Sequence, residues 1–180
     1  AKITLIENMS PNKAREFEVD RKSRFQKGSG LPIRIPVIEM VEIGAGGGSI
    51  ARVNKLDQIT IGPDSAGADP GPACYGLGGQ EPTITDADLI MGKINPDNFA
   101  SGKIKLFPNK SESVIRKKIS KPLRLDLKMS ALGITEMVDE TMANAARVHA
   151  VEQGQDTENK TLIAFGGAAP LHVSRIAEKL

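Results

Sequence analysis

Gly44-Ala45-Gly46-Gly47-Gly48-Ser49, followed after a short gap by Gly62-Pro63-Asp64-Ser65-Ala66-Gly67-Ala68-Asp69-Pro70-Gly71-Pro72-Ala73-Cys74-Tyr75-Gly76, gathers glycine and proline into one part of a 180-residue chain. Every glycine costs backbone entropy on folding, so such a cluster needs a reason. Two are open: turns that require positive φ, or close approach of a ligand or another backbone segment to the main chain. Glycine-rich turns can present rows of N–H groups to an anion. A rigid, proline-locked surface loop explains the same composition. The first run lacks the Lys-Ser/Thr ending of a Walker motif, so a P-loop NTPase is excluded.

Outward from this stretch, the pattern is strand-rich on one side and helix-rich on the other. Ile3, Leu5 and Ile6 alternate with polar residues and predict a short strand. Asn8 to Gly30 is polar and reads as an excursion with a strand near Phe17 to Val19. Pro32 to Ile43 is β-branched and apolar, a strand broken by Pro36. Ser49 to Val53 and Gln58 to Ile61 predict a hairpin after the glycine run. Residues 1–62 are therefore expected to be mainly strands, 63–84 a Gly/Pro-rich loop, and 85–180 mainly helical with one strand near 161–165. A loop of that length without charge-rich composition reads as an ordered excursion rather than a disordered one.

In the helical part, Thr85 offers an N-cap with Asp86 and Asp88 in the first turn, and Gly92 a stop. Ser111 to Ser120 predicts a helix ended by Pro122. Leu125 to Leu132 predicts another, closed by Gly133. Thr135 opens the longest element, which ends at Gly154 and carries Val138, Met142, Ala145, Ala146 and His149 on one stripe. Thr161 to Phe165 reads as a buried strand, Gly166-Gly167 as a turn, and Pro170 as the start of a last helix.

Composition narrows the function classes. The formal net charge is +2 and aromatic residues make up 3% of the chain, so neither nucleic acid nor an anionic membrane is an expected partner. A single cysteine, Cys74, rules out an intramolecular disulfide or a cysteine-built zinc site and reads as a small buried thiol. With no apolar run of membrane-spanning length and no signal-peptide pattern, a cytoplasmic setting is expected.

Candidate chemistry falls on the glycine turns and the acids beside them. Gly46, Gly47, Gly48 and Ser49 could hold a phosphate or an oxyanion on main-chain N–H groups. Strand, Gly166-Gly167 and a proline-started helix form a turn against which a ring or ribose can lie, though a tight αβ turn needs no ligand. Asp64, Asp69, Asp86 and Asp88 lie next to these turns, and one could bind Mg²⁺ or activate water. Asp86 serves equally as a helix-capping charge. His172, in the first turn of the last helix, reads as a neutral ring contacting ligand or core, because a helix N-terminus disfavours imidazolium, with simple packing as the commoner explanation. His149, on an apolar stripe, reads as a core histidine.

Gly44 to Ala51, Gly62 to Gly76, Pro82-Thr83-Ile84-Thr85-Asp86-Ala87-Asp88-Leu89-Ile90-Met91-Gly92 and Ala164-Phe165-Gly166-Gly167-Ala168-Ala169-Pro170-Leu171-His172 together closely resemble the hydantoinase A/5-oxoprolinase family. The resemblance implies an α/β fold, part of an actin-like or sugar-kinase-like (ribonuclease H-like) ATPase domain with a Gly/Pro-rich insertion. It implies ATP and Mg²⁺ as cofactors and ATP-dependent opening of a cyclic amide, with the ATP-using subunits of acetone-type carboxylases as relatives. Gly166, Gly167, Ala168, Ala169 and Pro170 would line the adenosine side, although the family often has glycine where Ala169 stands. The two phosphate loops of the Asp-x-Gly-Gly-Thr kind, which carry the family's metal-positioning aspartates, are absent. Ala1 to Ile6 resembles the strand leaving the second, so a portion of a longer enzyme is expected. Its partners would be the remainder of its own polypeptide and a hydantoinase B-like subunit or domain. Asp86 and Asp88 remain the candidates for a catalytic role; a portion that only docks onto the rest of its enzyme is the alternative.

Overall fold

In the computed structural model, residues 1–20, 22–23 and 28–180 are described. They divide into two units, residues 1–43, 143–161 and 180 in one and residues 44–142 and 162–179 in the other.

The first unit is built on an antiparallel ribbon. β1 (Lys2–Ile3) pairs with β8 (Val41–Glu42), β4 (Lys13–Ala14) with β7 (Val37–Ile38), and β5 (Phe17–Val19) with β6 (Leu31–Ile33). The outgoing and returning halves thus zip in nested order, interrupted by the tight pair β2 (Ile6–Glu7) and β3 (Ser10–Pro11). Pro36, which lacks an N–H for the ladder, falls in the break between β6 and β7. Side chains complete the ribbon where the backbone leaves it: Thr4 Oγ1 donates to the Glu39 carbonyl at 2.7 Å, and the Glu18 carboxylate accepts from the N–H groups of Gly28 and Gly30. Buried residues of this unit include Ile43 and, on the later part of α4 (Leu127–Glu152), Ala143, Ala145, Ala146, His149 and Ala150. His149 is a buried residue of that helix face.

The second unit opens with the hairpin of β9 (Ser49–Val53) and β10 (Ile59–Ser65). Asn54 fixes its turn by accepting from the N–H groups of Leu56 and Gln58. All ten strands of the described residues end by Ser65. A 3₁₀ turn at Ala73–Tyr75 follows, then α1 (Ile84–Ile90), α2 (Pro108–Ile115), a π turn (Arg116–Ser120), α3 (Lys121–Leu123), the first part of α4, and α5 (Ala169–Lys179). The 3₁₀ turn packs Cys74 against Leu89 and Leu106, with Tyr75, Ile94 and Phe99 closing over that cluster.

Four local expectations change in the structure. Thr83, not Thr85, is the N-cap of α1, because only Thr83 forms the reciprocal capping box with Asp86. Pro122 does not stop its helix. The wider π turn before it shifts the carbonyl that an α-helical turn would press against the pyrrolidine ring, and the helix runs on to Leu123. Gly133 closes nothing and Thr135 opens nothing, since α4 runs through both. Gly133 serves packing instead: a Cβ there would lie 2.7 Å from Ile59 Cδ1 of the hairpin. The strand expected at 161–165 is absent. A strand needs a ladder partner, none of the described strands pairs with it, and Leu162, Ile163 and Phe165 are exposed.

Candidate functional site

Asp86 organises the surroundings of the site. It is fully buried, and its carboxylate accepts from the N–H groups of Ala73 (3.2 Å), Cys74 (2.8 Å) and Thr83 (3.0 Å) and from the hydroxyls of Thr83 (2.8 Å) and Ser111 (2.6 Å). One side chain thereby ties the 3₁₀ turn, the start of α1 and α2 together. With every lone pair committed to the fold, Asp86 is a structural hub and not a catalytic candidate. Burial, then the Asp86 charge beside it, pushes the Cys74 thiol up to about 12, which removes it as a nucleophile at neutral pH.

The glycine run is braced from behind. Gly47 O accepts from Thr85 N at 2.9 Å, and Gly48 O from Ala66 N at 2.8 Å. Ser49 Oγ accepts from Gly46 N and donates to Gly44 O, so Gly46 and Ser49 are spent on the shape of the turn. Among the described residues no hydrogen bond uses the N–H of Gly47 or Gly48. Glycine is required at 47 because a Cβ would sit 2.6 Å from Thr85 Oγ1.

Beneath this run lies a buried charge triad. His172, on α5, directs Nδ1 to Asp139 Oδ1 at 2.7 Å on α4, and Nε2 lies 3.2 Å from Asp88 Oδ2 on α1. All three residues are at most 1% exposed. Burial by itself would lower the imidazole pKa, but the hydrogen bond to Asp139, then the Asp88 carboxylate and both negative charges, raise it to about 9. The two carboxylates beside the ring favour the imidazolium, against the neutral ring expected from the helix terminus. Two carboxylates at contact distance outweigh a helix terminus.

Gly47, Gly48, Thr85, Asp88, Gly167 and Ala168 line one cleft of about 300 Å³, together with Gly67, Pro72, Tyr75, Ile94, Phe99 and Leu171. Sequence positions more than a hundred residues apart thus converge. Gly166, Ala169 and Pro170 shape the turn and the first residues of α5 without lining the cleft. The acids do not assemble into a metal site. Asp64 pairs with Arg52 at 2.8 Å, Asp69 is exposed, Asp86 is committed to its donors, and among the described residues no group of three metal-ligating side chains gathers. These residues do not fit Mg²⁺.

Asp139, Tyr75, Ile94 and Phe99 were not among the residues singled out from sequence. Asp139 had left a trace: it occupies an inward position of α4 beside Thr135, Val138 and Met142, where a charge needs a buried partner. That the partner is His172 depends on the packing of α5.

Among the described residues no helix is long and apolar enough to cross a membrane. A family model described as hydantoinase/oxoprolinase matches residues 1–180. The caprolactamase subunit alpha of Pseudomonas jessenii is 42% identical over 88% of this chain and 23% of its own length. A crystal structure of ATP-dependent caprolactamase from that organism superimposes with a TM-score of 0.77 at 40% identity, over 87% of this chain and 23% of that one. A nucleotide-free structure of acetone carboxylase, from work on ATP-dependent acetone carboxylation, gives a TM-score of 0.82 at 28% identity, over 98% of this chain and 24% of that one. This chain spans about a quarter of the length of these relatives.

Proposed function

This chain belongs to the hydantoinase/oxoprolinase family, and we propose that it forms the adenosine side of the nucleotide cleft in an ATP-dependent enzyme that opens a cyclic amide. One observation carries the proposal: Gly47 and Gly48, with their N–H groups outside the internal hydrogen bonds, share a cleft with Gly167 and Ala168 at the entrance to α5. Glycine walls admit a ligand against the main chain, and unengaged N–H groups with the start of an 11-residue helix favour an anionic group.

In the reaction, ATP would transfer its γ-phosphoryl group to the amide carbonyl oxygen. ADP leaves, water adds to the activated carbon, the C–N bond breaks with the nitrogen taking up a proton, and a second water hydrolyses the resulting acyl phosphate to carboxylate and phosphate. Activation of this kind makes hydrolysis of an unstrained amide downhill. The residues of this chain would bind and orient the nucleotide, and phosphoryl transfer needs charge neutralisation from elsewhere. The fold proposed for the domain is the actin-like ATPase type, whose central sheet would supply the ladder partner that Thr161 to Phe165 lacks. A hydantoinase B-like subunit or domain is the proposed partner, by analogy with relatives that are named as subunits.

The likeness to acetone carboxylase supports a second reading, in which ATP activates a ketone or bicarbonate for carboxylation. One assay separates the two. The full-length protein is supplied with ATP and either cyclic amides or a ketone with bicarbonate, and ADP formation is followed. Amide-dependent ADP with a ring-opened product supports the hydrolase, whereas ADP that requires ketone and bicarbonate supports the carboxylase. Absence of ATP binding by calorimetry would refute both and leave a docking role.

A further inference from the structure

Asp88 holds a buried oxygen that the fold does not satisfy. The residue is 1% exposed, it lines the cleft, and its Oδ1 has no hydrogen bond. Lys93 Nζ lies 3.4 Å from Oδ1, at ion-pair range and on a side chain that is partly in solvent. Buried carboxylate oxygens almost always have donors, so an unsatisfied one beside a cleft points to a donor on a ligand.

The surroundings say what kind of donor. A carboxylate only accepts hydrogen bonds, and its charge repels phosphate, which therefore belongs at the Gly47 and Gly48 amides. Tyr75 and Phe99, with ring centroids 5.9 Å apart, give the same cleft an aromatic wall for a flat ring. Amides for an anion, an aromatic wall for a ring and a carboxylate for a neutral donor match the three parts of a nucleotide. Asp88 Oδ2 meets His172 Nε2 at 3.2 Å as a charge contact without hydrogen-bond geometry, and Asp139 holds the other ring nitrogen at 2.7 Å.

Resting on the nucleotide reading above, we infer that Asp88, in charge contact with His172, accepts a hydrogen bond from a ribose hydroxyl of the bound nucleotide. Asp88 is thus the residue that distinguishes ribose from deoxyribose in this cleft.

The test titrates ATP, 2′-deoxy-ATP and 3′-deoxy-ATP into the full-length protein and into its Asp88→Asn variant. A charge-assisted hydrogen bond is expected to make at least one deoxy analogue bind the wild type about tenfold or more weakly than ATP. Asp88→Asn, whose amide oxygen still accepts but carries no charge, should discriminate less than the wild type. The analogue series on the wild type needs no mutation, so it decides the matter even if the variant fails to fold. Equal affinity of the wild type for all three nucleotides overturns the inference while leaving the nucleotide cleft standing. The same holds if Asp88→Asn discriminates as well as the wild type, or if it weakens a cyclic amide and not ATP. No ATP binding by the wild type overturns the cleft reading and the inference with it.

Discussion

Alkalinisation should release His172 from its two carboxylates and weaken the second unit. The folded-state pKa of the imidazole is raised from 6.5 to about 9, so the proton binds more tightly in the folded than in the unfolded state. The stabilisation is therefore fully present below pH 6.5, falls as the pH climbs, and is gone above about 9. The difference corresponds to about 3 kcal/mol, a large share of the stability of an ordinary domain. The groups facing the ring are Asp139 from α4 and Asp88 from α1, with Lys93 on the far side of Asp88. Urea unfolding followed at pH 6, 7.5 and 9.5 reads the effect, with His172→Gln as the reference that cannot titrate. Wild type should lose midpoint across this range, and His172→Gln should lose much less. An NMR titration of the ring gives the pKa directly. A pKa at or below 6.5, or equal pH slopes for wild type and His172→Gln, would refute the imidazolium triad.

Asp86→Ala strands buried N–H donors at Ala73, Cys74 and Thr83 and should cost about 3–5 kcal/mol in denaturant stability. In the same variant the Cys74 thiol loses the neighbouring charge but keeps the burial that raises it most. A disulfide reagent at pH 8 should therefore modify it faster only as the destabilised fold opens, which the urea dependence of the rate would record. Gly47→Ala should weaken ATP binding more than stability, because the new Cβ meets Thr85 Oγ1, and adding Thr85→Ala should restore part of the affinity; unchanged binding in Gly47→Ala would speak against contact at that amide. Gly133→Ala sets a helix-propensity gain of about 1 kcal/mol against a contact with the end of Ile59. It should be near neutral alone but clearly stabilising when made on an Ile59→Val background, as thermal melts of the four variants would record.

Local chemistry was legible wherever a residue's role depended on near neighbours. The β9–β10 hairpin follows from alternation around Asn54, the end of α1 from Gly92, the break between β6 and β7 from Pro36, and the burial of Cys74 from its type and setting. Long-range partners were hidden. Gly133 signals a helix end by every local rule, and only the approach of Ile59 explains why the helix passes through it. Thr161 to Phe165 carries a strand's pattern, but a strand is a property of a pair, and the described residues hold no partner for it.

The sequence by itself determined the motif set, the two glycine turns and the family, because those are matters of residue order. The tertiary structure alone decided that Asp86 is a hub, that Gly47 and Gly167 face one cleft, and that His172 lies beside two carboxylates. Each of these depends on residues that folding brings together: His172 meets Asp139 at 2.7 Å across 33 residues, and the two glycine turns, more than a hundred residues apart, line one cleft. Helix periodicity fixes which face a side chain takes, and only packing fixes what meets it there.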